Sequence, residues 1–284
     1  MDDTSEELLE SLGEPGLSLY HYTTLQAAVE HILPSGRIMM NPFSKMRDPR
    51  ESKFLNPVGA NDPQGSATLD STRRFTAIYE KACAVKDLVK VFSLTRDDLS
   101  RREHDVAVFG RGFAHPRLWE QYADRHRGVC LCFDKEKLAG VMLTKLAKHA
   151  ELEHGEVVYR DGPIDPQAYT FSLADTERYT NEEIVDRMIR AGMHELFFTK
   201  VKDWEAEVEY RFVVPTRDTK PLYVPARGAL RAVMLGEETS EHYTPAILRI
   251  LEEPGTREIG IRVLRVRWGD GAPFLRDPTR PGYD

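Results

Sequence analysis

The chain has 284 residues, 41% hydrophobic and 30% charged, with three cysteines and a formal charge of −7. This is the balance of a globular protein with room for one large domain or two small ones, and it excludes a disordered or fibrous chain. The apolar runs fall far short of a membrane span, the start MDDTSEELLE is unlike a signal peptide, and the few cysteines suit a reducing cytoplasm; the negative charge argues against broad nucleic-acid binding.

In chain order, residues 1–16 read as a polar lead-in that ends at Pro15-Gly16. A strand at 17–22 runs into a helix at 24–33, where Leu25, Ala28, Val29, Ile32 and Leu33 fall on one stripe and Thr23 followed by Gln26 signals the cap. After the break at PSG comes a short strand at 37–40. Residues 41–66 hold four prolines and little periodicity, so they read as a long loop of the kind that serves function. A helix at 70–86 and the buried strand VKVFSLT precede an irregular stretch, DDLSRREHDVAVFGRGFAHP.

The segment RLWEQYADRHRGVCLCFD reads as a short helix, a stop at Gly128 and a strand at 129–133. Helices follow at 135–149 and 182–199, with a strand at 156–160 between them. Strands at 207–214, 221–224, 230–235 and 259–268 dominate the rest, with one helix at 241–252 and an irregular tail at 269–284. Strands and helices mix without a βαβ alternation. The expectation is therefore an α+β fold, a single domain at 17–268 with a mixed, mainly antiparallel sheet flanked by helices.

Three stretches could carry chemistry. Tyr20-His21-Tyr22 puts a histidine between aromatics where a strand gives way to a helix. In KVKDWEAEVEYRFVVP the period switches to two, which places Glu207, Glu209 and Arg211 on one face and Val208, Tyr210, Phe212 and Val214 on the other. Paired carboxylates push each other's pKa apart, and an arginine holds at least one ionised; the competing reading is a solvated strand face with a surface ion pair. Lys200, Lys202 and Trp204 lie just upstream. In LWEQYADRHRGVCLCFD, Trp119, Tyr122 and Ala123 have core-facing helical spacing, and Arg125, His126 and Arg127 crowd a turn that could hold an anion. Cys130 and Cys132 share a strand face and, with no second pair, read as buried thiols rather than a zinc site. His104, Asp105 and His115 match no ligand spacing, and the dinucleotide, P-loop, nucleophile-elbow and zincin motifs are missing.

Taken together, these pieces resemble a bacterial family catalogued as domain-of-unknown-function family 2971. The likeness runs over about residues 19–215: YHYTTLQAAVEHILPSGRI, Asn41-Pro42 and DPRE at 48–51, Phe92-Ser93, the LWxxYADxHxGVCxxF segment at 118–133, and Lys200, Trp204, Glu207, Glu209 and Arg211. Met46-Arg47 departs from the Phe-Asn usual before the Asp-Pro. A more distant similarity is to ADP-ribosyltransferases, with an early His-x-Thr and a late Glu-x-Glu. That resemblance implies NAD as substrate and no metal. His21 and Thr23 would anchor NAD, Tyr22 or Tyr122 would stack on nicotinamide, and Trp119 and Trp204 would add aromatic surface. Arg127 or Arg211 would bind phosphate, with Glu209 catalytic and Glu207 assisting. The product would be an NAD glycohydrolase or a transferase to a protein or nucleic-acid acceptor, such as a toxin or phage-defence effector. Two alternatives stand beside it: a nuclease-type effector binding a divalent metal through Asp48, Glu51, Glu207 and Glu209, and a non-catalytic nucleotide sensor.

Overall fold

A computed structural model describes residues 3–53, 56–60, 69–101, 107–147, 149, 152–172, 174–253 and 260–279. His104, Asp105 and parts of the 41–66 loop lie outside them. The strands are β1 (Ser18–Thr23), β2 (Arg37–Pro42), β3 (Val58–Ala60), β4 (Val89–Arg96), β5 (Val129–Asp134), β6 (Glu153–Glu156) and β7 (Val158–Tyr159). They continue as β8 (Thr170–Ser172), β9 (Thr199–Lys200), β10 (Glu209–Pro215), β11 (Leu222–Pro225), β12 (Leu230–Leu235), β13 (Arg262–Gly269) and β14 (Ala272–Arg276).

One large sheet has the order β11-β2-β4-β1-β5-β12-β13-β14, with β10 pairing β4 and β6. Among the described residues only β12 and β13 run parallel within it, which makes this the mixed, mainly antiparallel α+β fold expected from the sequence. The sheet's central strand β5, VCLCFD, is buried along almost its whole length, as a near-continuous apolar run predicts. One sheet face carries Leu19, Phe92, Leu94, Leu131, Phe133, Phe212 and Val233, covered by Leu138 and Met142 of the helix Lys135–Leu146 and Ile247 of the helix Thr244–Leu251. The opposite face is divided. Phe43, Val91 and Val213 pack with the helix Asn181–Phe197, whereas Tyr20, Tyr22, Trp119, Cys130, Cys132 and Leu264 form a separate cluster.

β4 explains the division. One of its edges pairs with β10 from Glu209↔Thr95 to Pro215↔Val89. Its other edge is shared: β2 takes Lys90 and Val91, and β1 takes Thr95 and Arg96. Among the described residues, 92–94 have no strand partner on that edge, because β1 stays with β5 through Thr23↔Val129 while β2 turns away to β11. The sheet splits there.

Three local expectations need correction. The polar lead-in contains the helix Asp3–Glu10, whose Leu8, with Leu12 beyond it, is buried beside Tyr20 and Leu275. The tail is not irregular through its length: β13 and β14 form a hairpin whose turn residues Asp270 and Gly271 both have positive φ, the conformation an Asp-Gly pair adopts readily. The helix expected at 24–33 starts after Thr24, whose hydroxyl accepts from the Ala27 amide, but Ala28–Ile32 is wound as a π-helix before Gly36 ends it at φ 64°.

Candidate functional site

A pocket of about 230 Å³ opens in the split. Its walls are Tyr20, His21 and Tyr22 of β1, Met39 and Asn41 of β2, residues 91–95 of β4, and Leu118 and Tyr122 of the helix Pro116–Tyr122. Lys45, Met46 and Arg47 follow β2 and reach it from the loop, while Lys200, Glu207 and Glu209 meet it from the β9–β10 side.

His21 answers a gap in the sheet. Its Nδ1 lies 3.3 Å from the Ser93 carbonyl, and since that oxygen can only accept, Nδ1 carries the proton. Burial pulls the imidazole down to about 4, against the opposing pull of that hydrogen bond, so the ring is neutral near pH 7. It also packs on Phe92, with ring centres 4.9 Å apart.

The Glu-x-Glu segment departs from the expected strand face. Glu207 ends a 3-10 turn, Lys202–Glu207, and the strand starts only at Glu209. Val208 between them has φ 47°, a left-handed conformation that costs a β-branched residue about 1–3 kcal/mol and is found where the surroundings over-determine it. Neither carboxylate lies on an open strand face. Glu207 and Glu209 are 5% and 4% exposed, and Lys200 and Arg211 are equally enclosed. Lys200 Nζ bridges them, 2.5 Å from Glu207 Oε2 and 3.2 Å from Glu209 Oε2. Arg211 binds Glu209 through two nitrogens, Nε to Oε1 at 2.7 Å and Nη2 to Oε2 at 2.8 Å. Burial by itself would raise the Glu209 carboxyl, but Arg211 and Lys200 bring it down to about 2. Tyr122 Oη donates to Glu207 Oε1 at 2.7 Å, and burial together with that carboxylate's charge pushes the phenol well above its ordinary value.

The structure therefore brings together His21, Tyr22, Tyr122, Glu207 and Glu209. It leaves others out. Trp119 is fully buried behind the pocket, edge-on to Tyr22, with its indole N–H on the Phe113 carbonyl, so it is core. Arg127 is exposed and paired with Asp124 at 3.0 Å, away from the pocket. Arg211 is wholly enclosed, with its third nitrogen on the Phe197 carbonyl, so it braces Glu209 and has no face for a phosphate. Thr23 pairs with Val129 beyond the pocket wall, and Trp204 packs against the Lys200 ammonium at 4.7 Å without lining the cavity.

Sequence reasoning missed Asn41, Lys45, Arg47, Ser93 and Thr95. The length of the 41–66 loop was the available signal for the first three. Arg47 lies over the Tyr122 ring at 4.5 Å and bonds the Gln121 carbonyl, so a loop cation joins the pocket mouth to its wall. The four carboxylates Asp48, Glu51, Glu207 and Glu209 do not converge as metal ligands. Asp48 caps the helix Pro49–Ser52 through the Arg50 amide, and the others face Lys200 or Arg211. Among the described residues no group of three or more His, Cys, Asp or Glu is arranged to hold a metal ion, and no helix is long and apolar enough to cross a membrane.

Residues 118–212 match the model of a family described as Protein of unknown function (DUF2971). The matched stretch runs from Leu118 through Phe212 and includes Tyr122, Lys200, Glu207, Glu209 and Arg211; His21 and the 41–52 loop precede it. No curated protein and no solved structure matches the chain.

Proposed function

We propose that the pocket binds NAD by its nicotinamide–ribose end and cleaves the bond between ring and sugar, in the manner of ADP-ribosyltransferases and NAD glycohydrolases. The observation that carries this reading is the lining of the cavity: an ionised Glu209 beside Glu207 at the enclosed end, both held by Lys200, and Lys45 and Arg47 at the mouth. A ligand with a hydroxyl-rich sugar to meet the carboxylates and an anionic group to meet the mouth cations fits that lining, and NAD is built so, with a ribose next to its pyridinium ring and a pyrophosphate beyond. A volume of about 230 Å³ is below the usual ~300–1,000 Å³ of small-molecule sites, so it suits a nucleoside-sized end with the remainder outside.

The chemistry follows from the residues. As the C1′–N bond breaks, its electron pair goes to the ring nitrogen, the pyridinium becomes neutral nicotinamide, and positive charge develops on the ribose. The Glu209 carboxylate stabilises that charge and accepts from a ribose hydroxyl. The neutral His21 ring offers Nε2 as an acceptor to the same sugar, Tyr122 presents an aromatic face, and Lys45 and Arg47 hold the pyrophosphate. Water or a nucleophile on a protein or nucleic acid then takes the ribose carbon. An effector that consumes NAD, as a toxin or in phage defence, is the role such chemistry serves. A nuclease with metal bound by Asp48, Glu51, Glu207 and Glu209 would have to displace Lys200 and Arg211 from those carboxylates, which makes it the weaker reading.

The test is nicotinamide release from NAD by the purified protein, with and without nucleic acid and cell lysate, beside Glu209→Gln checked for folding by circular dichroism. Release that survives a chelator and is lost in the folded variant supports the reading. ADP-ribose binding with no release under any condition makes the protein a nucleotide sensor, and a chelator-sensitive nuclease activity overturns the assignment.

A further inference from the structure

Glu51, in the DPRE motif, is used by neither the pocket nor the proposed chemistry, yet it is 2% exposed. Its Oε1 forms an ion pair with Arg211 Nη2, the nitrogen that also binds Glu209. Phe43, at the start of the same segment, places its ring 5.6 Å from the Arg211 guanidinium carbon and is itself fully buried against Phe197. Residues 43–52 thus hold one guanidinium from two sides, and Lys45 and Arg47 of the pocket mouth lie between those two holds. Asp48 adds a longer contact from the Val201 amide, and Lys86 binds the Arg50 and Lys53 carbonyls at the end of the helix Pro49–Ser52.

We infer that Glu51 is a positioning residue that docks the pocket mouth onto the pocket floor through the Arg211 it shares with Glu209. This goes beyond the proposed reaction and holds for whatever ligand the pocket takes. Glu51, Glu207 and Glu209 share two cations, Lys200 and Arg211, so a fully ionised cluster carries one excess buried negative charge. Glu51 is the member that yields. Its Oε2 has no hydrogen-bond partner among the described residues. Burial, reinforced by the Glu209 charge and opposed by Arg211 and Lys200, raises its carboxyl to about 7.

The sign of the pH effect is then determined. Docked, Glu51 keeps its proton up to about 7; undocked and solvated, it loses it near its ordinary 4.5. Docking is therefore strongest below about pH 4.5, weakens as pH rises to about 7, and is constant above that. The groups facing Glu51 are Arg211 and Glu209 on β10, Lys200 on β9 and Lys86 on the helix Val85–Leu88. Burial pushes Lys86 down to about 8, so its own titration is centred above the pH range over which Glu51 changes.

The experiment is hydrogen–deuterium exchange of the ligand-free protein from pH 5 to 7.5, corrected for the intrinsic rate, comparing peptides covering 43–53 with peptides covering β12. In the wild type, protection of 43–53 should fall with pH by up to about tenfold per unit, with β12 unmoved. Glu51→Gln, which mimics the protonated acid, should lose that slope while keeping the segment protected. Glu51→Asp should retain the slope at lower overall protection. Equal slopes in wild type and Glu51→Gln, or no change in protection of 43–53 in Glu51→Asp, would overturn the inference. If Glu51→Gln does not fold, the Glu51→Asp arm and the wild-type slope decide it. None of these readouts depends on NAD turnover, so failure here is separable from failure of the proposed function.

Discussion

The Nδ1 of His21 stands 3.3 Å from the main-chain oxygen of Ser93, so an imidazole occupies the place where a strand amide would have continued the ladder between β1 and β4. The ring thereby gives one carbonyl on the split edge a donor while the pocket stays open. A buried carbonyl left without a donor would cost roughly 1–3 kcal/mol.

A pH effect on stability follows. The His21 imidazole sits at about 4 in the folded chain and near 6.5 in the unfolded one. As pH falls from 6.5 to 4, the unfolded state takes up a proton that the folded state refuses, so stability is lost over that window and is level below it. The loss is up to about 3 kcal/mol. Urea denaturation of wild type and His21→Asn from pH 7 to 4 should show the two curves converging as pH falls; parallel curves would mean that the ring titrates normally.

Lys200 is predicted to be structurally indispensable. It is 3% exposed and lies between two buried carboxylates. Lys200→Met keeps the stem but leaves Glu207 and Glu209 without that cation. Breaking one partner from a buried charge group costs about 3–5 kcal/mol, which a chemical denaturation curve at pH 7 would register. A loss under 1 kcal/mol would show that water already enters the cluster.

Lys45 and Arg47 should behave oppositely. Both are exposed, so replacing them with alanine should change stability by no more than about 0.5 kcal/mol. If they hold a pyrophosphate, ADP-ribose titrated by calorimetry should bind the double variant at least tenfold more weakly, about 1.4 kcal/mol. Unchanged affinity would move the anion elsewhere.

Trp119 and Tyr122, one helical turn apart, separate core from site. Trp119→Ala removes a fully buried ring and should cost about 3–5 kcal/mol. Tyr122→Phe removes only the hydroxyl on Glu207, about 1–3 kcal/mol, and its larger effect should fall on ligand affinity. Thermal melts and ADP-ribose binding on both variants give the comparison, and equal effects on binding would place Trp119 at the ligand after all.

Much of the architecture is legible in the chain. The 3.6-residue stripes at 182–199 and the apolar run at 129–133 specify a helix and a central strand, because burial of one face or of both faces leaves a direct imprint on residue order. The DG pair before Ala272 announces a hairpin that composition alone reads as tail. Gly128 is needed for a reason no local pattern carries: a Cβ there would come within 2.4 Å of the Thr23 carbonyl, a contact between β1 and the turn before β5.

The candidate site divides along the same line. Sequence by itself determined the α+β class, the placing of His21 between two tyrosines at the end of a strand and the pairing of Glu209 with Arg211, since alternation puts residues two apart on one strand face. It did not determine whether that face meets water, and the enclosed cluster of Glu51, Lys200, Glu207, Glu209 and Arg211 shows that it does not. Which residues surround a carboxylate depends on strands and loops up to about 160 positions apart in the chain, as Glu51 and Arg211 are. Only the tertiary structure decided that the split beside β4 is a pocket, that Lys45 and Arg47 guard it, and that Trp119, Arg127 and Arg211 do not line it. The physical reason is that desolvation and Coulomb energy act through space, while periodicity records only which side of its own element a residue faces.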